Sequence, residues 1–372
     1  MSAQRPYRLI ISGGGTGGHI FPALAIARAF QDRYPDTEFL FVGATGKMEM
    51  KKVAEAGFRI VGLWISGLQR RITLANLLFP VKLIFSFFKA RKILKDFKPH
   101  VVIGTGGYAS SPMVMAATRA HIPTLIQEQN SYAGLANRQV ASRVARVCVA
   151  YPGMEKYFPA ACIRLTGNPV RKDLLQVADM RREGLSSFGF SENGKTLLVL
   201  GGSLGARTIN DSLLAGIDKL IDAQVQVLWQ TGSMYLEKVR QQLADKELRR
   251  IRVVDFIARM DLAYAAADVV ISRAGALAIS ELTVAKKPAI LVPSPNVAED
   301  HQTKNALALV QQDAALLVPD AEAVEILVNE ALNLLYDDSR CAKLSAEISK
   351  LAKPHAAEEI AAEIERLIQM PS

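Results

Sequence analysis

Short apolar runs alternate along this chain with longer stretches of helical period. In the first half the runs fall at 8–12, 39–42, 59–61, 101–104, 124–126 and 147–150. They are nearly continuous rather than alternating, as expected for parallel strands covered on both faces. Between them lie helix patterns such as 22–31 and 112–121. The second half repeats the scheme, with strands predicted at 196–200, 225–230, 252–254, 269–272, 289–292 and 315–318. Strands alternating with helices predict right-handed βαβ units and a doubly wound sheet. Two such series predict an α/β protein with two Rossmann-like parallel-sheet domains. Gly167-Asn168-Pro169 is a turn signal, and the linker is placed in 159–172. The expected division is 1–165, 166–355 and a C-terminal helix within 356–372 that packs back on the first domain. The tail from 337 to 368 reads as helical and charged. Ligands in this architecture sit beyond the carboxyl ends of the strands, so a deep cleft faced by both domains is the expected site.

The 372 residues are half apolar and 22% charged, which suits a folded core and excludes whole-chain disorder. No apolar run is long enough to span a bilayer. The polar N-terminus lacks the apolar segment of a secretory signal. Three dispersed cysteines, Cys148, Cys162 and Cys341, fit neither a disulfide framework nor a zinc site and suit a reducing cytoplasm. The net charge of +9 is unevenly placed. Residues 1–170 hold 22 Lys and Arg against 8 Asp and Glu, a balance of +14; the remainder holds 23 against 28, a balance of −5. A basic first half calls for an anionic partner.

The chemistry concentrates in glycine loops. The first strand runs into Gly13-Gly14-Gly15-Thr16-Gly17-Gly18-His19 and then a helix. Glycines there bring backbone N–H groups close to an anion at a helix N-terminus. A dinucleotide site would also want an acid at the end of the second strand, and Phe41-Val42-Gly43-Ala44-Thr45 has none. Similar loops follow at Gly104-Thr105-Gly106-Gly107-Tyr108 and Gly201-Gly202-Ser203-Leu204-Gly205-Ala206. Three loops suggest a site with more than one phosphate, and none has the Gly-Lys-Ser/Thr of a P-loop. Glu281, early in a helix, reads equally as a capping acid or as an acceptor for a ribose diol. Of five histidines, His100 and His121 read as surface or capping residues, His355 lies in the charged tail, and His301 starts a helix, where it reads equally as a cap. His19 stands apart: at a glycine loop its imidazole is either structural or a general base.

The segment 74–97 is rich in Leu and Phe and rimmed by Arg70, Arg71, Lys82 and Lys89. Its apolar positions are too many for one buried face, and Pro80 is expected to interrupt the helix. An apolar patch rimmed by cations predicts a monotopic contact with anionic lipid, through Leu77, Leu78, Phe79 and Phe85. Nucleic acid is disfavoured, since aliphatic positions outnumber the aromatics that could stack on bases.

Taken in order, Gly14 to Pro22, Gly104 to Tyr108, Glu128-Gln129-Asn130, Gly134 to Arg138, Gly167 to Arg171, Gly201 to Ala206 and Asp300-His301-Gln302 resemble the bacterial peptidoglycan transferases that add N-acetylglucosamine to lipid I to make lipid II, the MurG family. The resemblance spans essentially the whole chain. It implies a GT-B fold, with the donor site in the C-terminal domain and the acceptor site in the N-terminal one. It implies UDP-N-acetylglucosamine as donor, with Glu281 on the ribose diol, the Ile257 backbone at the uracil edge and Ser203 on the diphosphate. Arg171 would lie near the nucleotide. Ala276, Leu277, Gln302 and Asn130 would line the sugar, and Thr16, Gly17 and Gly18 would close over it. The acceptor region would include Gly14, Gly15, Gly106, Gly107, Tyr108 and Asn137, with the first-domain loops meeting the lipid I diphosphate. His19 is the implied base, and Glu128 is implicated in activity.

The implied reaction inverts the anomeric carbon, with the muramyl C4 hydroxyl as nucleophile. No D-x-D motif is present, so no protein-held metal is expected, with magnesium left to assist the diphosphate from solution. Implied partners are the donor, lipid I, the anionic inner leaflet and other wall-building proteins. The implied place is peripheral, on the cytoplasmic face of the cell membrane. The chain departs from the family pattern at Ala278 for Thr, at Gln127 for His, and over Ser110-Ser111-Pro112-Met113 in its loop. A different lipid acceptor, a UDP-N-acetylglucosamine 2-epimerase and a non-catalytic nucleotide-sugar sensor remain as alternatives.

Overall fold

The computed structural model describes residues 6–67, 78–202, 204–297 and 300–370. They divide into two compact units, Met1–Val170 with His355–Ser372, and Arg171–Pro354. The first unit carries β1 (Arg8–Gly13), β2 (Glu38–Ala44), β3 (Ile60–Leu63), β4 (Val101–Gly106), β5 (Thr124–Glu128), β6 (Arg146–Val149) and β7 (Ile163–Leu165). All pair in parallel, in the order β3-β2-β1-β4-β5-β6-β7. Strand alternation sends Leu9 and Ile11 to one face and Ile10 to the other. The first face is covered by the Gly17–Arg33 helix and the C-terminal helix, the second by the Phe79–Phe97 and Ser110–Arg119 helices. Two covered faces explain why the strands read as unbroken apolar runs.

The C-terminal helix, Ala356–Gln369, belongs to this unit by its chemistry. Ala357, Ile360, Ala361, Ile364 and Leu367 form one helical stripe packed with Leu9, Ile26 and Phe30. Glu363 pairs with Arg146 at 3.2 Å, and Glu365 accepts from the Tyr34 hydroxyl. The charged tail is two helices, Asp338–Lys350 and Ala356–Gln369, parted around Pro354, and they serve different units.

The second unit carries β8 (Thr196–Leu200), β9 (Gln226–Gln230), β10 (Ile251–Val254), β11 (Val269–Ser272), β12 (Ala289–Leu291) and β13 (Leu316–Leu317), parallel in the order β10-β9-β8-β11-β12-β13. Trp229 is fully buried on one face, its indole N–H donating to Asn210 Oδ1 at 2.9 Å. That bond lets a polar nitrogen sit in the core.

Three expectations are corrected. β7 lies inside the stretch read as linker; it is a three-residue edge strand, partly exposed, and so has no apolar run to betray it. The units divide at Val170/Arg171 rather than at 165/166. Pro80 does not interrupt a helix: it stands in the first turn of Phe79–Phe97, where its missing N–H costs no hydrogen bond. That helix ends at Lys98 in the left-handed conformation, φ 50°.

Candidate functional site

In the first unit β1 and β4 end side by side, and their glycine loops interlock. A Cβ on Gly13 would lie 1.9 Å from Thr105 Oγ1, and one on Gly107 would lie 2.2 Å from the Gly14 carbonyl. Only glycine allows that approach, and Gly106 and Gly107 also have φ of 94° and 86°. Gly14 N–H donates to the Gly106 carbonyl at 3.3 Å, and the Thr105 hydroxyl to the His19 carbonyl at 2.9 Å.

This frame holds His19. Its Nδ1 lies 2.9 Å from the Gly14 carbonyl, which can only accept, so Nδ1 carries the proton and Nε2 is the basic nitrogen. A Cβ on Gly106 would stand 3.0 Å from Nε2. Tyr108, half exposed, lies over Gly67, where a Cβ would meet its ring at 2.1 Å. Thr16 is exposed and Gly17 and Gly18 are half-buried at the helix start. The structure therefore gathers His19, Thr16, Gly14, Gly15, Gly17, Gly18, Gly106, Gly107 and Tyr108 at one place.

Glu128, Asn130 and Asn137 form a separate knot at the end of β5. Glu128 is 1% exposed. Its Oε1 accepts from Asn130 N–H at 3.1 Å; its Oε2 accepts from Gly134 N–H at 3.0 Å and the Asn137 amide at 2.9 Å. The carboxylate folds the loop around itself. Gln127, the residue standing for a family His, donates to Asn168 Oδ1 at 2.8 Å in a buried amide network with Gln129.

In the second unit Gly205 and Gly232 bring two loops together: a Cβ on Gly232 would lie 2.2 Å from Gly205 N, and their φ values are 89° and 81°. Beside Gly205 a cavity of about 370 Å³ is lined by Arg207, Thr208, Tyr235, Arg273, Asn296 and Gln302 among others. Gln302 accepts from Ser294 N–H at 2.8 Å through its amide oxygen, which turns its NH₂ outward as a donor. Arg273 donates to the carbonyls of Val292 and Pro293 and to Asp320, which also accepts from the Thr208 hydroxyl at 2.9 Å. These bonds tie the ends of β11 and β12 to the helix that follows the glycine loop.

Glu281 lies on the Ala276–Ala285 helix, whose first two residues are Ala276 and Leu277. It pairs with Arg171 at 3.1 Å and accepts from the Tyr264 hydroxyl at 3.1 Å. Burial pushes its carboxyl above the usual range, and Arg171 opposes that. Burial also raises the Tyr264 phenol, with the neighbouring Glu281 charge adding to it. At Ile257 the backbone N–H donates to Gln230 Oε1 at 2.9 Å. Ser203, Leu77, Arg70 and Arg71 lie outside the described residues.

Sequence reasoning missed Tyr264, Gln230, the Arg273–Asp320 pair and Glu49. Only Glu49 left a local trace, an acid at a helix start five positions after β2. On the Phe79–Phe97 helix, Phe85 is 62% and Phe88 60% exposed, with Leu78, Val81, Ile84 and the preceding Trp64 also open. Phe79 is half-buried; Lys82 sits over the Trp64 ring and donates to Ser66, and Lys89 donates to the Gly62 carbonyl. Among the described residues no helix is long and apolar enough to cross a membrane.

Residues 9–149 match the glycosyltransferase family 28 N-terminal domain and residues 196–360 its C-terminal domain. The chain is 54% identical over 368 residues, 99% of each chain, to a Cytophaga hutchinsonii protein named UDP-N-acetylglucosamine–N-acetylmuramyl-(pentapeptide) pyrophosphoryl-undecaprenol N-acetylglucosamine transferase. A Parabacteroides distasonis protein of the same name is 53% identical over 98% of this chain and 99% of its own. The crystal structure of Acinetobacter baumannii MurG superposes with a TM-score of 0.78 at 28% identity, covering 97% of this chain and all of that one. A UDP-N-acetylglucosamine 2-epimerase from Neisseria meningitidis, at 14% identity and a TM-score of 0.66, shares the fold alone. With two Rossmann-like units, a glycine loop opening each, and both family domains matched in order, this chain belongs to glycosyltransferase family 28 and has its GT-B fold.

Proposed function

We propose that the chain moves N-acetylglucosamine from UDP-N-acetylglucosamine to the muramyl C4 hydroxyl of lipid I, giving lipid II for peptidoglycan synthesis. The observation that carries this reading is the 54% identity, over 99% of both chains, to a transferase of that name. The geometry supplies the parts. In-line attack on an anomeric carbon bearing a good leaving group needs a base for the nucleophile and stabilisation of the departing phosphate. His19 has the right tautomer for the base: Nδ1–H is spent on the Gly14 carbonyl, so Nε2 takes the C4 proton as the hydroxyl oxygen bonds to the anomeric carbon and the UDP oxygen leaves. Inversion from α to β follows from in-line displacement.

On the donor side, Glu281 accepts from the ribose hydroxyls, with Tyr264 and Arg171 fixing its two oxygens. Gln302 offers its NH₂ to the sugar, and Ser203 and the adjoining loop take the diphosphate. At the uracil, Ile257 serves through its carbonyl, or through its N–H once Gln230 turns away. Glu128 acts through the loop it organises rather than on substrate. No protein-held metal is needed, and magnesium in solution assists the diphosphate. The exposed face of Phe79–Phe97 rests on the anionic cytoplasmic leaflet, where the lipid substrate is anchored.

The test is transfer of labelled N-acetylglucosamine to a short-chain lipid I analogue, with His19→Ala alongside. Transfer by the wild type, and a fall of about 10²–10⁴ in the variant with UDP binding retained, is the expected result. Release of free sugar without acceptor would favour an epimerase, and donor binding with no transfer would favour another acceptor or a sensor.

A further inference from the structure

The second strand ends without an acid in sequence, yet in the fold a carboxylate arrives at that place. Glu49, second residue of the Met48–Glu55 helix, is 1% exposed. Its Oε1 accepts from Ala44 N–H at 2.9 Å, closing the turn that leaves β2. Its Oε2 accepts from Gly15 N–H at 2.9 Å, reaching across to the first glycine loop. Among the described residues its hydrogen-bond donors are these backbone groups, and no cation pairs with it. The loop is shaped around it: a Cβ on Gly14 would stand 2.2 Å from Glu49 Oε1, and one on Gly43 would stand 2.5 Å from its Cγ.

The peptide group joining Gly14 to Gly15 is the connection. A trans peptide points its N–H and C=O in opposite directions, and no cis bond is present here. The N–H of this peptide donates to Glu49; its C=O accepts from His19 Nδ1. Carboxylate, peptide and imidazole therefore form one hydrogen-bonded line. Each bond in such a line polarises the next, so a full negative charge at the Glu49 end makes the Gly14 oxygen a better acceptor. That oxygen holds His19 in the Nδ1–H tautomer and stabilises the imidazolium formed when Nε2 takes a proton. The arrangement also occupies the Gly15 N–H, which is therefore not open to a lipid diphosphate while Glu49 is in place.

We infer that Glu49 is a positioning residue for the transfer reaction, acting on His19 through the Gly14–Gly15 peptide. This rests on the reading of His19 as the base. Glu49→Gln keeps the shape and removes the charge. It also turns an amide NH₂ toward one of the two backbone N–H groups that Glu49 accepts from.

The experiment measures kcat and donor KM with the lipid I analogue for Glu49→Gln, Glu49→Asp, His19→Ala and the Glu49→Gln/His19→Ala pair. Glu55→Gln, on the exposed end of the same helix, is the control. The expected result is a loss in kcat of about 10- to 100-fold for Glu49→Gln, as when the partner orienting a functional histidine is removed. Donor KM should stay within about twofold, and Glu49→Gln should cost less than about twofold once His19 is alanine, because residues acting as one unit are not additive. ¹⁵N NMR of the histidines, with His19 assigned from its alanine variant, reads the tautomer without turnover: Nδ1–H in the wild type, a mixture in Glu49→Gln.

Unchanged kcat and tautomer, or an equal loss in the His19→Ala background, would overturn the inference. So would loss of folding in both Glu49 variants, which would assign the carboxylate to stability alone. A wild type that transfers nothing while its His19 tautomer still responds to Glu49 would instead sink the reaction assignment.

Discussion

Gly106→Ala is the sharpest probe of how the glycine loops serve His19. The added methyl carbon would lie 2.9 Å from His19 Cδ2 and 3.0 Å from Nε2. Ordinary carbon contacts want about 3.5–4.0 Å, so the imidazole must retreat by about half an ångström or more. The imidazole is tied at its other edge to the Gly14 carbonyl, so retreat means tilting Nε2 away from its place. Displacement by about 1 Å at a reacting group costs on the order of 10²-fold in rate, so a loss of roughly ten- to a hundredfold in kcat is expected. Alanine at φ 94° also strains the backbone by about 1–3 kcal/mol, which lowers the denaturation midpoint of the first unit. The assay is turnover with the lipid I analogue under saturating donor, with UDP affinity measured separately by calorimetry. UDP affinity should hold, since the residues read as donor contacts in the second unit are untouched. A variant that folds, binds UDP and keeps its kcat within about twofold would refute the placement of His19 Nε2 as the working nitrogen.

Three further outcomes test other parts. Tyr264→Phe removes one hydrogen bond to a charged Glu281 and should weaken UDP binding by about tenfold, with little change for a 2′,3′-dideoxy nucleotide; equal losses for both would detach Glu281 from the ribose. A protonated Glu281 cannot accept from the diol as the carboxylate does. Since burial raises its pKa, UDP affinity should be full above that raised value and fall on acidification sooner than an ordinary carboxylate would allow. Glu281→Gln should flatten the pH dependence seen in titration calorimetry. For the membrane face, Phe85→Ser with Phe88→Ser should cut binding to anionic vesicles by tenfold or more in sedimentation, at unchanged UDP affinity. Unchanged sedimentation would place the lipid contact elsewhere.

Much of this protein is readable without its fold. Twelve strands stand where the apolar runs predict them, because a strand covered on both faces leaves an unbroken apolar mark. The three glycine loops, His19, Glu281 and the cation-rimmed segment are likewise local signals. What escapes is whatever depends on distance in space rather than in sequence. β7 is short and half exposed, so no run marks it. Pro80 reads as a break in isolation and as a first-turn residue once the helix start is known. Glu128 carries a family role in sequence, but only the fold shows its oxygens spent on Asn130, Gly134 and Asn137.

The residue pattern by itself determined the two parallel sheets, the loops that must be glycine and the imidazole at the first of them, because period, turn chemistry and helix starts are set by neighbours within a few positions. The tertiary structure decided the chemistry's direction. It brought Glu49 from 34 positions away onto the Gly15 N–H, set Tyr264 and Arg171 on opposite oxygens of Glu281, and engaged the Ile257 N–H with Gln230. Hydrogen-bond partners buried away from water are chosen by which strands and helices the core packs together, and no local window of sequence contains that choice.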